Sequence, residues 1–255
     1  MTFFEAILLG VVEGFTEFLP ISSTAHLIVI SRVLDIPHSG FLPSFVIAIQ
    51  LGAIGAVIFL YWRTLVFDLE IVKRVVVAFI PTACIGVLLY TFLKEVLIEN
   101  LWVIALALLS GGIVLIMFER FYRSDNLGVL SYRNAFLIGL AQSVAIIPGI
   151  SRAGATILGG LALGLSREKI VEFSFLLAIP TMFAATGFDL YKSGSLFAKK
   201  EWELLAVGFV VSFIAAYAGI RWLIRFVQTH SFASFGWYRV LLGGTILIFL
   251  AVQWQ

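Results

Sequence analysis

The sequence predicts an all-α polytopic membrane protein built as an inverted internal repeat, each half a re-entrant helical hairpin followed by three transmembrane helices. Three observations carry that prediction. Of 255 residues, 61% are hydrophobic and 13% charged, against about 25% charged in an average soluble domain, so water is not the solvent for most of the surface. Six apolar runs approach the length needed to cross a hydrocarbon core, roughly 20 residues in a helix. Two further apolar segments are interrupted in their middles by Pro, Ser and Gly.

The first interrupted segment, Ala6 to Leu34, breaks at Pro20, which Ser22, Ser23 and Thr24 follow. A helix should stop before the proline and a second should start at a hydroxyl cap. This segment has no basic leader and no small-residue cleavage pattern, and it carries Glu5, Glu13 and Glu17, so it reads as part of the mature chain and not as a signal peptide. Three spans follow, Phe45 to Trp62, Val75 to Leu93 and Leu101 to Phe118. The second interrupted segment, Ala135 to Leu165, repeats the pattern with Pro148 and Gly149 followed by Ser151, Gly154 and Thr156. The last three spans are Phe173 to Leu190, Leu204 to Ile220 and Val240 to Trp254. Each interrupted segment is too broken for one helix and too short for two spans. Non-helical backbone at membrane depth is tolerated only inside protein or beside a wet cavity, which makes both segments re-entrant hairpins and not kinked spans.

The halves correspond. An offset of 129 places Ala6 on Ala135, Gly10 on Gly139, Glu13 on Gln142 and Ser22 on Ser151. At an offset of 130, Ser44, Phe45, Ala48, Ile49, Leu60 and Tyr61 fall on Ser174, Phe175, Ala178, Ile179, Leu190 and Tyr191. We read one membrane domain over 1–255, with one repeat over about 1–125 and the other over about 130–255. Three crossings per half turn the second repeat upside down, so the hairpins enter from opposite faces and their tips meet near the midplane. Sorting the basic residues on that topology puts Arg63, Lys73, Arg74, Arg120, Arg123, Arg133, Arg167, Lys169, Arg221, Arg225 and Arg239 on one side. Arg32, Lys94, Lys192, Lys199 and Lys200 fall on the other. The richer side should be cytoplasmic, with both termini outside and the first hairpin opening outward. No basic cluster with interleaved aromatics suggests nucleic acid. The single Cys84 offers neither a disulfide nor a thiolate cluster.

Four ionisable residues, Glu13, Glu17, His26 and Arg152, sit too deep to reach an interface, where a charge is costly unless paired or hydrated. Glu13 and Glu17 are i and i+4 on one helical face, close enough to share a hard divalent cation or a proton. His26 follows Ser22, Ser23 and Thr24, a hydroxyl and imidazole set of the kind that displacement or proton transfer requires. On the opposing tip, the stretch from Pro148 to Thr156 offers a glycine turn, a helix N-terminus, the hydroxyls of Ser151 and Thr156, and the Arg152 guanidinium. Such a tip is an anion cradle, and the planar fork of an arginine suits phosphate oxygens. Carboxylates for a metal, a hydroxyl with a histidine, and an arginine on a phosphate together describe phosphoryl transfer.

These residues resemble the undecaprenyl-pyrophosphate phosphatases of bacterial membranes, also called bacitracin-resistance proteins. The resemblance covers the whole chain. It rests on the pair Glu13 and Glu17, on Pro20 to His26 (Pro-x-Ser-Ser-Thr-x-His), and on Pro148 to Thr156 (Pro-Gly-x-Ser-Arg-x-x-x-Thr). It implies an inverted-repeat fold, hydrolysis of a C55 isoprenoid diphosphate to the monophosphate carrier lipid of cell-wall synthesis, and dependence on Mg²⁺ or Ca²⁺. Carried over by position, its functional residues are Glu13, Glu17, Ser22, Ser23, His26, Ser151, Arg152 and Thr156. The chain departs from the family pattern at Ala153, usually Ser, and at Ala25, usually Gly. The expected mechanism has Arg152 and Ser151 on the diphosphate, Glu13 and Glu17 on the cation, and Ser23 as nucleophile. His26 serves as base and then acid, and Ser22 and Thr24 orient groups at the tip; water or His26 as the attacking group stays open. The expected setting is the bacterial inner membrane, with the site opening to the periplasmic face. The lipid diphosphate and the bilayer are the partners, and a homodimer is compatible with the sequence. A transporter or flippase of polyprenyl phosphate is the rival reading, since inverted repeats and midplane charges also build carriers. It leaves the Ser and His cluster idle.

Overall fold

A computed structural model describes residues 1–36, 41–96, 100–121, 128–193 and 199–253. Those residues form helices joined by short turns, without strands. The first interrupted segment forms α1 (Phe3–Thr16) and α2 (Ser23–Val33), and three long helices follow, α3 (Phe41–Phe67), α4 (Leu69–Val96) and α5 (Leu101–Phe121). The second interrupted segment forms α6 (Tyr132–Gln142), a 3₁₀ turn (Ser143–Ile146) and α7 (Arg152–Ala162), ahead of α8 (Arg167–Ser193), α9 (Lys199–Thr229) and α10 (Ala233–Gln253).

Helices α3, α4, α5, α8, α9 and α10 are the six that are long and apolar enough to cross a membrane among the described residues, and they coincide with the six runs read from the sequence. Their outer faces expose large apolar side chains, among them Phe59, Trp62, Leu88, Leu241, Ile248 and Phe249. Such a surface belongs in lipid, so the chain is a multi-pass membrane protein. By contrast α1, α2, α6 and α7 hold 14, 11, 11 and 11 residues, shorter than the roughly 17–25 residues a spanning helix needs.

The local signals for these short helices are plain. Thr2 and Glu5 close a capping box on α1, with Thr2 N–H donating to Glu5 at 2.9 Å and Glu5 N–H to Thr2 Oγ1 at 3.2 Å. Helix α1 ends before Pro20, as expected. Ser151 caps α7 by accepting from Gly154 N–H at 3.0 Å, again as expected. The matching cap on α2 is not made. Ser22 occupies the N-cap position at φ 70 and ψ 91, and its side chain accepts no capping bond, because the positive φ turns its hydroxyl away from the first helical N–H groups.

A second expectation also fails. Arg239 is not an interfacial side chain, since it is 3% exposed and its guanidinium faces α5 and both interrupted segments. Of the other basic residues sorted by side, Arg123 lies outside the described residues, as do the side chains of Lys94, Lys192, Lys199 and Lys200. So does Trp254, the end of the sixth run.

Helix α1 packs along α9, α6 along α4, α5 along α10, and α3 against both α8 and α9. The close approaches depend on glycine. A Cβ at Gly139 would lie 1.8 Å from the Ala78 carbonyl oxygen on α4, and one at Gly14 would lie 2.2 Å from the Ser212 oxygen on α9. Gly139→Val should therefore force α6 off α4 at about 1–3 kcal/mol or more, lowering the unfolding midpoint in detergent by at least about 2 °C. Gly86→Ala, which meets nothing within 4 Å and replaces a helix-interior glycine by a better helix former, should not lower that midpoint.

Candidate active site

The turns of the two interrupted segments meet in the protein interior. Ser151 Oγ donates to the Leu19 carbonyl at 3.2 Å, and Arg152 Nη2 donates to Glu17 Oε1 at 3.1 Å. Both members of that ion pair are largely buried, at 13% and 8% side-chain exposure, so screening is weak and the pair is held by geometry. Arg152 Nη1 donates to the Ser174 carbonyl at 2.8 Å and lies 3.4 Å from its hydroxyl. The guanidinium also sits over the Phe18 ring at 5.7 Å. Phe18 in turn packs edge-on against Phe175 at 5.4 Å, which fixes the floor of the site. Arg152 Nε is buried with no partner, a donor in reserve for an anion.

Glu17 is the hub. It lies one residue past α1 but keeps helical dihedrals, and its N–H still bonds the Glu13 carbonyl at 2.9 Å, so the expected i, i+4 stacking holds. While Oε1 takes Arg152, Oε2 accepts the hydroxyl of Ser23 from the start of α2. Glu13 is 0% exposed, and neither of its carboxylate oxygens has a hydrogen-bond partner. An orphaned buried carboxylate beside a second one is a pair that could hold a hard divalent cation or share a proton. Among the described residues no cluster of three or more His, Cys, Asp or Glu is available, so an all-protein metal cage is not offered.

His26 stands apart from Ser23. Its Nδ1 lies 2.7 Å from the Ser22 carbonyl and its Nε2 2.7 Å from the Tyr238 hydroxyl. A carbonyl cannot donate, so Nδ1 carries the proton and Nε2 accepts from the phenol in the neutral imidazole. The expected pairing of Ser23 with His26 is therefore replaced by Ser23 on Glu17 and His26 on Tyr238. Ser22, strained at φ 70, supplies that carbonyl, and strain of this kind is retained where the surroundings over-determine it.

Thr24 and Thr156 are not brought to this centre. Thr24 is exposed at the surface of α2. Thr156 is fully buried and donates to Gln142 Oε1 at 3.1 Å and to the Arg152 carbonyl at 2.8 Å. Gln142 Nε2 bonds Thr82 and Thr181 at 3.0 and 3.2 Å, so Thr156 stiffens α7 behind Arg152. Ala25 and Ala153 are both buried, at 0% and 1% exposure, in positions where a methyl packs and a hydroxyl would need a partner.

Sequence reasoning missed Tyr238, Arg239, Thr82 and Ser174. Ser174 matches Ser44 in the repeat and both are buried, a usable signal. Tyr238 and Arg239 lie just before the apolar run that starts at Val240, in a helix that begins at Ala233.

Fold and site together define a multi-pass membrane protein with a buried centre of acid, hydroxyl, imidazole and guanidinium groups. The chain belongs to the family of the bacitracin resistance protein BacA, whose family model matches residues 6–245. It is 51% identical to an undecaprenyl-diphosphatase of Aquifex aeolicus over 95% of this chain and 96% of that one. The undecaprenyl-diphosphatases of a Sulfurihydrogenibium species and of Persephonella marina are 48% and 46% identical, over 95% and 98% of this chain and 97% and 100% of theirs.

Proposed function

We propose that this chain hydrolyses undecaprenyl diphosphate to the monophosphate and inorganic phosphate, recycling the carrier lipid of cell-wall synthesis in the bacterial inner membrane. The observation that carries the reading is the convergence of Ser23 and Arg152 on Glu17, which joins a nucleophile, its base and a phosphate-binding cation across two turns. Relatives bearing the undecaprenyl-diphosphatase name match nearly the full length.

In this reading Arg152, with its free Nε and the α7 N-terminus, grips the diphosphate. Glu17 accepts the Ser23 proton as the hydroxyl attacks the terminal phosphorus, and the lipid monophosphate leaves. His26, bonded between Ser22 and Tyr238, takes a proton from the water that attacks the phosphoserine, and Glu17 returns its proton to the departing Ser23 oxygen as inorganic phosphate leaves. Glu13 and Glu17 would hold Mg²⁺ or Ca²⁺, which neutralises developing charge on the phosphate oxygens. Ser22 contributes its main-chain carbonyl to His26, and Ser151 its hydroxyl, which caps α7 and bonds the first turn at Leu19.

The two interrupted segments are re-entrant hairpins of an inverted repeat. Supporting this, α1 rests on α9 and α6 on α4, so each hairpin leans on the second span of the other half. Gly10 faces the Gly208 carbonyl and Gly139 the Ala78 carbonyl, which are matching positions in the two repeats. With Arg239 removed from the sorting, the side holding Arg63, Arg74, Arg120, Arg133 and Arg221 remains the more basic. The cytoplasm lies there, with both termini and the opening of the site on the periplasmic face.

In proteoliposomes loaded with undecaprenyl diphosphate, phosphate and lipid monophosphate should appear in equal amounts. Movement of the lipid across the bilayer without phosphate release would favour the carrier reading.

A further inference from the structure

Arg239 is the most buried cation among the described residues, and no carboxylate lies within salt-bridge distance of it there. Four main-chain carbonyls surround its guanidinium instead. Nη1 donates to Pro20 O at 3.2 Å, Nη2 to Gly149 O at 3.2 Å and to Ala107 O at 3.0 Å, and Nε to Leu108 O at 3.4 Å. Two of these carbonyls belong to α5, one to the first turn and one to the second. Pro20 lies three residues from both Glu17 and Ser23, and Gly149 lies three residues before Arg152. Neither turn carbonyl receives a backbone N–H, so each would be an orphan acceptor in a dry interior without this side chain.

The slot is shaped for the guanidinium. A Cβ at Gly111 on α5 would lie 2.2 Å from Nη2, and one at Gly112 would lie 2.9 Å from the Arg239 Cβ. Only a planar fork with donors on several edges reaches acceptors on three segments at once; a lysine ammonium keeps the charge but not the span.

We propose that Arg239 is a positioning residue of the site, tying the turn that carries Glu17 and Ser23 to the turn that carries Arg152 and referencing both to α5. It acts through those residues and touches no substrate. The proposal rests on the phosphatase reading.

The test is the kcat and KM of phosphate release from undecaprenyl diphosphate for purified Arg239→Lys, Arg239→Met and Gly111→Ala. Activity is expressed per folded protein, judged by thermal unfolding. Gly111→Ala keeps the arginine but displaces its guanidinium from the slot, and alanine is the better helix former, so this variant should fold. An error of about 1 Å in placing reacting groups costs on the order of a hundredfold, so kcat should fall about 10- to 100-fold in all three variants. KM should change less than kcat, within about threefold, since Arg152 keeps its own bonds to Glu17 and Ser174 when the turn shifts. Wild-type kcat in Arg239→Lys, wild-type kcat in folded Gly111→Ala, or a loss confined to KM would each overturn the proposal. If the arginine variants do not fold, Gly111→Ala decides alone. Absence of hydrolysis by the wild-type protein in the same assay would sink the phosphatase reading instead.

Discussion

Glu17→Gln is expected to lower the rate of phosphate release by about 10³-fold, equivalent to about 4 kcal/mol in the barrier, because it removes the base from Ser23. Glutamine has the shape of glutamate and its amide oxygen can still accept from Ser23, so the turn should keep its form. What it cannot do is take the proton. The same change strips Arg152 of its counter-charge, and breaking a buried pair from one side costs about 3–5 kcal/mol of stability. The Ser174 carbonyl at 2.8 Å from Nη1 offsets part of that loss. Initial rates on the folded fraction separate the two effects. A folded Glu17→Gln protein within tenfold of wild type would reduce Glu17 to an ion-pair partner.

Arg152→Ala should be the more damaging of the two. Among the described residues the guanidinium is the one cation paired with the hub carboxylate, and it stands on the first residue of α7; arginines on transferring phosphoryl groups contribute about 10³–10⁵-fold to turnover. Loss of that size should appear in kcat/KM, with KM rising because the diphosphate loses its bidentate partner. Arg152→Lys should recover little of it, since an ammonium cannot hold the Glu17 carboxylate, the Ser174 carbonyl and a phosphate together. Recovery of most of the activity by lysine would show that charge alone matters at this position.

Much of the site was legible because its residues lie close in sequence and where charge is expensive. Glu13 and Glu17 stack because the helical period puts i and i+4 on one face, and the dihedrals of Glu17 preserve that period past the end of α1. Pro20 and Pro148 announced the turns, and Ser151 the cap on α7. Contacts between distant segments were beyond such reasoning. Ser23 and His26 are i and i+3 on α2, which suggested a pair, yet the turn aims one hydroxyl back at α1 and α10 captures the imidazole. Sorting basic residues on the span topology places Arg239 with the cytoplasmic set. It is buried instead because two turns leave carbonyls that only a donor from a neighbouring helix can satisfy. Ser22 looked like a cap by residue type, and the positive φ that spoils the cap has no signature in a serine.

The central claim is that the meeting of two turns makes a cation-dependent phosphatase with Ser23 as its nucleophile. Its most direct test is phosphate release from undecaprenyl diphosphate by the purified protein with Mg²⁺ or Ca²⁺ and with a chelator, beside Ser23→Ala under the same conditions. We predict stoichiometric phosphate and lipid monophosphate from the wild type with cation, and little from the chelated protein or from Ser23→Ala. Wild-type turnover in Ser23→Ala, or release undiminished by the chelator, would contradict it.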